Sequence, residues 1–393
     1  MTKTGFPRNI FALGAVSLLT DVSREMIFPI LPIFLRSVLG AGTAFIGLVE
    51  GVAESAASIL NLLSGWLSDR MRRRKTLMIW GYGLSALTRP LIALATSGWH
   101  ILVVRFVEKI GKGIRVPPRD ALIAASCTVE NRGRGFGLHR TMDNIGSIMG
   151  PLLAFSLLSF LRNDYRAFFW LAALPAFLAI FVLLFLVQEK GEVNLSDAPR
   201  TFRQPFNFRQ FDRPFLLFLA ISVLFELANS SNAFLLLRVK EVGLPTELIP
   251  IIYLFCNIFK AASSLPGGVL SDILGRRNLL ALGWLVYGGC YLLFGFPFSL
   301  PQAWFIFALY GLFSGMTEGI KKALVADLVT EEARGSAYGI HSFLTNLTQL
   351  PASLILGILW QKWGVFVAFS CGALFALSAG VLLLTSIPSR TRA

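Results

Sequence analysis

Residues 105 to 120 read RFVEKIGKGIRVPPRD, placing Arg105, Glu108, Lys109, Lys112, Arg115, Arg119 and Asp120 in a stretch that is otherwise mainly apolar. Turned at about 100° per residue, Arg105 and the next five of these fall within an arc of about 120°, with Asp120 just beside it. Such a stripe is tolerated on an apolar helix where that face lines a wet cavity or pairs across it, and ionisable groups so placed are expected to handle a solute or a proton. Arg105, Glu108, Lys109 and Lys112 are expected to bind substrate. Arg115, Arg119 and Asp120 lie nearer one end, where a salt-bridged gate with Asp69 and its neighbouring arginines is the plainer expectation. Pro117 and Pro118 remove backbone donors there and predict a kink.

Further ionisable groups interrupt other apolar runs: Asp21, Arg24 and Glu25; Glu50 and Glu54, four apart and so on one helix face; Arg89; and His139, Arg140 and Asp143. Later in the chain come Glu226, Lys260, Glu318, Lys321 and Lys322. A carboxylate held between a cation and an apolar wall can be tuned to take up and release a proton, which makes Asp21, Glu25, Glu50 and Glu54 the proton-coupling candidates. A fixed salt bridge to Arg24, Arg89 or Arg105 is the competing expectation for each. Arg24, Arg89, Lys321 and Lys322 join the substrate-binding candidates. His139 and His341 are expected to be neutral, hydrogen-bonded side chains.

The elements that carry these groups must be membrane helices. The chain has 393 residues, 55% hydrophobic and 15% charged, with 34 Phe, more apolar surface than a soluble core can hide. Apolar runs of about 20 residues, the length that crosses a bilayer, recur between short polar breaks. Twelve are predicted, at 9–36, 45–67, 75–96, 98–126, 135–160, 166–188, 214–237, 247–271, 278–298, 302–328, 335–360 and 364–387. Without water to satisfy the backbone each must be a helix, so the fold is all-α and polytopic. The net charge of +14 needs no nucleic acid. With the N-terminus placed in the cytoplasm, 19 Lys or Arg fall on the inner side and 6 on the outer, which predicts both termini inside. Asp21 follows the first apolar run at once, so a retained span is expected there rather than a cleaved leader.

The longest polar break, 189–213, is read as a cytoplasmic linker between an N-terminal bundle, 1–188, and a C-terminal bundle, 214–393. The halves repeat one another. GWLSDRMRRRK from Gly65 returns as GGVLSDILGRR from Gly267, pairing Asp69 with Asp272 at an offset of 203. RGRGFGLHRTMDN from Arg132 returns as RGSAYGIHSFLTN from Arg334 at an offset of 202, and SLLTD ending at Asp21 matches SVLFE ending at Glu226. Parallel halves flanking a midplane cavity are the architecture of rocking secondary transporters.

These motifs resemble those of the major facilitator superfamily, and the resemblance covers the whole chain. That family shows G-x-L-x-D-R-x-G-R-R/K between its second and third helices; Gly65, Leu67, Asp69, Arg70, Arg73 and Arg74 match, and Gly268, Leu270, Asp272, Gly275, Arg276 and Arg277 match the second copy. Its fourth helix reads R-x-x-Q-G-x-G-x-G, where Arg105, Gly111 and Gly113 match and Glu108 and Lys109 replace Gln and Gly. GSIMGPLLA supplies Gly146, Gly150 and Pro151 of the motif that the family's antiporters carry on the fifth helix, which leans towards exchange. The resemblance implies two pseudo-symmetric six-helix bundles around a central cavity, with Asp69, Arg70, Arg73, Asp272, Arg276, Gly146, Gly150 and Pro151 serving the gating movement.

The expected function is therefore proton-coupled secondary transport of a small polar solute by alternating access, with antiport or efflux favoured, in the cell membrane and as a monomer. The mid-helix cations favour an anionic solute. Export of a cationic drug or metal ion, favoured by the acids of the first two spans, and import of an anionic metal chelate such as a siderophore remain alternatives. An embedded enzyme or a receptor is disfavoured: there is no nucleophile motif, no P-loop and no sizeable extramembrane domain. Cys127, Cys256, Cys290 and Cys371 are scattered singly, which suits neither a disulfide framework nor a metal site, and no cofactor is expected.

Overall fold

The first predicted span is two helices rather than one: α1 (Arg8–Ile27) and α2 (Leu31–Ser37) flank a turn at 28–30. Pro29 and Pro32 cannot donate to the helical ladder, which breaks it there. In the computed structural model, which describes residues 8–56, 74–127, 131–189, 211–331 and 333–387, the seventh span divides likewise into α8 (Arg213–Ala228) and α9 (Ala233–Glu241). The break reads Asn229, Ser230, Ser231, Asn232, side chains that compete with helical backbone bonds. Its loose ends are tied down by tyrosines of the ninth span: Tyr287 donates to the Ala228 carbonyl at 2.9 Å, and Ser230 and Tyr291 share a hydrogen bond of 2.9 Å.

The other ten spans are single helices: α3 over 43–56 as far as it is described, α4 (Arg74–Ala93), α5 (Gly98–Ser126), α6 (Arg132–Phe160), α7 (Tyr165–Leu186), α10 (Ile249–Leu274), α11 (Arg276–Gly295), α12 (Leu300–Asp327), α13 (Arg334–Trp363) and α14 (Val365–Ser386). Helix α5 continues through Pro117 and Pro118. There is no strand among the described residues. Among the described residues eight helical stretches are long and apolar enough on composition to cross a membrane, including all six of the C-terminal half. Helices α1, α4 and α5 are not among them, and these carry Asp21, Arg24 and Glu25, Arg89, and the charged stripe. Charge, not length, separates them: α5 has 29 residues.

The helices group into two compact units. The first comprises residues 1–41, 52–197 and 245–254, the second 42–51, 198–244 and 255–393. The short segments 42–51 and 245–254 are repeat partners at the same offset of 203 that relates Asp69 to Asp272. In the first unit α4 packs along α5 and α7, and α1 packs against α6 and α7. Leu13, Val16, Met78, Leu122 and Leu183 belong to one buried apolar cluster. In the second unit α11 packs on α12 and α14, and α8 on α13 and α14. Its interior is aromatic: Phe225 stacks on Trp284 with ring centroids 4.5 Å apart, and Tyr287 on Tyr291 at 4.3 Å.

The first unit's interior is polar by contrast, with Glu25, Arg89, Arg105, Lys109 and Arg115 all buried. On α5 the pattern of a soluble amphipathic helix is inverted, since Trp99, Val103 and Phe106 are exposed while Arg105, Lys109 and Arg115 are inside. That is the arrangement lipid imposes, with apolar side chains outward and charges facing protein.

Candidate functional site: a charged cluster in the first unit

The site is set by how closely α4 and α5 approach. A Cβ on Gly81 would stand 2.7 Å from both the Gly111 carbonyl oxygen and Arg115 Cβ, and one on Gly111 would stand 2.6 Å from the Gly81 carbonyl oxygen. Only residues without a side chain let the two backbones meet there. The approach brings Tyr82, Ser85 and Arg89 of α4 against the stripe. Arg115 Nη1 donates to Ser85 Oγ at 2.6 Å, and its guanidinium lies 4.6 Å from the centroid of the Tyr82 ring. Ser85 in turn donates to the Glu108 carbonyl at 3.1 Å. The side chains of Tyr82 and Ser85, which sequence reasoning passed over, are thus what holds Arg115.

Three of the four mid-helix charges are paired. Arg105 Nη1 lies 2.7 Å from Glu108 Oε2, one turn along the same helix. Lys109 donates to Glu54 Oε1 of α3. Lys112 makes no hydrogen bond and no ion pair among the described residues, although Glu54, Lys109, Arg24 and Arg115 are within electrostatic reach.

Behind the stripe, Arg89 is 1% exposed and donates through Nη2 to the Thr20 carbonyl at 3.2 Å. Its Nε and Nη1 are buried without a hydrogen-bond partner. On α1, Arg24 binds both Asp21 at 3.3 Å and Glu25 at 2.7 Å, so these three expected site residues form one local network. Helix α6 reaches it through glycine: a Cβ on Gly146 would stand 2.8 Å from the Leu18 carbonyl oxygen, and one on Gly150 would stand 2.7 Å from Glu25 Cβ. Pro151 follows within the same helix.

The end of the stripe pairs locally, with Arg119 Nη2 2.8 Å from Asp120 Oδ1. His139 is buried, with Nδ1 3.5 Å from Asp143 Oδ2. Asp69, Arg70 and Arg73 lie outside the described residues. The second copy of their motif is described: Arg276 bonds to Asp327 at 2.5 Å and to Asp272 at 3.3 Å. Arg276 Nη1 also donates to the Ala323 carbonyl at 3.3 Å, as Arg74 Nη1 does to the Ala121 carbonyl at 3.3 Å. Both partners of that pair of contacts are related by the repeat offset of 202.

Glu50 and Glu54, expected together on one face, are divided between the units. Glu50 belongs to the second, where Ser231 Oγ donates to it at 3.3 Å. In that unit Lys321 Nζ lies 2.9 Å from Glu226 Oε1, while Asn229 and Gln349 donate to Glu226 Oε2 at 2.8 and 3.4 Å. Lys322 is exposed. Glu226 was legible as the repeat partner of Asp21. Its two amide donors were not, because an Asn or Gln in an apolar span carries no signal until the helices are placed.

The sequence profile of the Major Facilitator Superfamily matches residues 13–261 and 216–393. The chain belongs to that superfamily. It is 38% identical over 383 residues, 96% of this chain and 94% of the relative, to an uncharacterized MFS-type transporter of Methanocaldococcus jannaschii. At 24% identity over 343 residues, 86% of this chain and 84% of the relative, it is similar to the multidrug resistance protein MdtH of Salmonella newport. Among solved structures the nucleoside transporter NupG superposes with a TM-score of 0.81, covering 96% of this chain and 98% of that one at 16% identity, a likeness of fold alone. Twelve membrane-spanning helices in two pseudo-symmetric bundles, a multi-pass membrane location and the transporter class follow from the family and the helices together. Family and fold are those of membrane transporters rather than enzymes.

Proposed function

We propose that this member of the superfamily moves a small anionic solute across the membrane in a proton-coupled cycle, with the Lys109–Glu54 pair as the coupling element. The observation that carries the reading is that pair beside Lys112, which has no hydrogen-bond or ion-pair partner among the described residues. An anion drawn in by Lys112 competes with Glu54 for the ammonium one turn away. A carboxylate that loses its cation at the edge of a low-dielectric interior takes up a proton. Proton and anion then bind in concert, and by linkage each raises the affinity for the other. Glu54 can exchange its proton because its side chain is 41% exposed, whereas that of Lys109 is 7% exposed.

Arg89, Arg105 and Arg115 are buried and act from behind, supplying positive potential, with Glu108 paired to Arg105. Asp21, Arg24 and Glu25 form the wall on α1, and Gly146, Gly150 and Pro151 let α6 move against it. Asp272 and Arg276, with the first copy's Asp69, Arg70 and Arg73, serve the gating step. Both termini lie in the cytoplasm, the halves 1–188 and 214–393 joined by 189–213 alternate as bundles, and the protein acts as a monomer.

A second reading is proton-driven export of a cationic solute, favoured by the Asp21–Arg24–Glu25 network, where two carboxylates share one guanidinium. The likeness to a multidrug resistance protein and the exchange motif on α6 support export, without bearing on the solute's charge. The purified protein in liposomes loaded with a pH-sensitive dye separates the two. Anions that carry protons in with them support the first reading; proton movement driven only by cations, and in the opposite sense, supports the second and removes the binding role from the basic stripe.

A further inference from the structure

We infer that the first unit holds a site for a compact oxyanion with two negative charges, the head of an organic phosphate or phosphonate, contacted by Lys112 and backed by Arg115 and Arg89. The inference rests on the anionic-solute reading and names the substrate class. Its basis is the balance of the cluster. Four of its cations have a carboxylate in ion-pair range: Arg24 with Asp21 and Glu25, Arg105 with Glu108, Lys109 with Glu54, and Arg119 with Asp120. Three have none. Among the described residues Arg89 has one backbone acceptor and two buried, unpartnered nitrogens, Arg115 has a hydroxyl and a ring face, and Lys112 has neither hydrogen bond nor ion pair.

These three are neighbours. Lys112 and Arg115 are three residues apart on α5, hence on one face, and Ser85, which holds Arg115, is one turn from Arg89 on α4. Setting aside the self-balanced Arg119–Asp120 pair and the opposite charges of Arg140 and Asp143 on α6, Arg24, Arg89, Arg105, Lys109, Lys112 and Arg115 face Asp21, Glu25, Glu54 and Glu108, six against four. A monoanion leaves one positive charge uncompensated and a dianion leaves none. A proton on Glu54 enlarges the surplus and strengthens the preference. Size is limited too, because one turn of α5 advances only about 5.4 Å, which suits two charges on one phosphorus better than two carboxylates on a long chain.

The test is binding of inorganic phosphate and phenyl phosphate, against acetate and benzoate, to the purified full-length protein in detergent. It is read by tryptophan fluorescence and thermal melting at constant ionic strength and about pH 8, where the phosphates are dianions. The expected result is at least about tenfold tighter binding of each phosphate than of the carboxylate of matching bulk, from the added charge in a poorly screened site. Lys112→Met should remove that advantage and Lys112→Arg should keep it, so that a folding defect in the first variant does not pass for a binding effect. Equal binding of phosphate and acetate, or an undiminished advantage in a folded Lys112→Met, would overturn the dianion site while leaving an anion transporter standing. Silence from all four anions would overturn both.

Discussion

The ammonium of Lys109 on α5 is hydrogen-bonded to the carboxylate of Glu54 on α3, so the charged stripe is tied to a second helix by a pair whose acidic member is the more exposed. A buried cation with a reachable carboxylate is an arrangement in which proton access and solute binding meet at one bond. The pair also sets apart its neighbour Lys112, which has no carboxylate of its own among the described residues.

Lys112→Ala is expected to abolish solute flux while the protein still inserts and melts as the wild type does, because no hydrogen bond or ion pair among the described residues is lost with it. Flux assays in liposomes with melting curves in detergent check this. Wild-type flux would show that Lys112 takes no part in transport.

Arg105→Ala should behave differently, because it strands Glu108 in the interior. Breaking one side of a buried ion pair is expected to cost about 3–5 kcal/mol. The double variant Arg105→Ala with Glu108→Gln should melt higher than the single one. Additive losses would show that the 2.7 Å pair is not coupled in the folded protein.

Gly111→Leu is expected to lower the melting temperature or prevent insertion, since even a Cβ there would stand 2.5 Å from Ser85 Oγ. Overpacking of this kind typically costs about 1–3 kcal/mol. Gly83→Leu on α4, where a Cβ meets nothing within 4 Å, is the control and should melt like the wild type.

The adjacent lysines of α12 should separate. Lys321→Ala leaves Glu226 without its ammonium and is expected to destabilise the second unit and reduce flux. Lys322→Ala removes an exposed side chain and should keep flux within about twofold, as surface changes away from buried networks usually do. Equal loss in both would assign Lys322 a direct part in transport.

Much of this was readable in the chain. The span at 98–126 and the helix Gly98–Ser126 coincide, because Gly, Ser and charged residues bound the apolar runs sharply. The stripe fell where a helical period put it, since the bilayer forces charges inward whatever the neighbours are. The breaks in the first and seventh spans were missed because an apolar run long enough to cross a membrane gives the same signal whether or not prolines or an Asn-Ser-Ser-Asn turn divide it. Pairing was the least legible level. Glu50 and Glu54 share a face on any helix, yet one meets Ser231 and the other Lys109. Ser85 and Tyr82 gained their part only from the close approach at Gly81 and Gly111.

The measurement that bears most directly on the coupling claim is the comparison of wild type and Glu54→Gln in two liposome assays, solute exchange at zero gradient and accumulation driven by a proton gradient. The account predicts that Glu54→Gln still exchanges solute, because the amide leaves Lys109 free for the anion, but no longer accumulates it, because there is no group left to carry the proton. Gradient-driven accumulation at the wild-type level in Glu54→Gln would contradict the account and move the coupling step away from the Lys109–Glu54 pair.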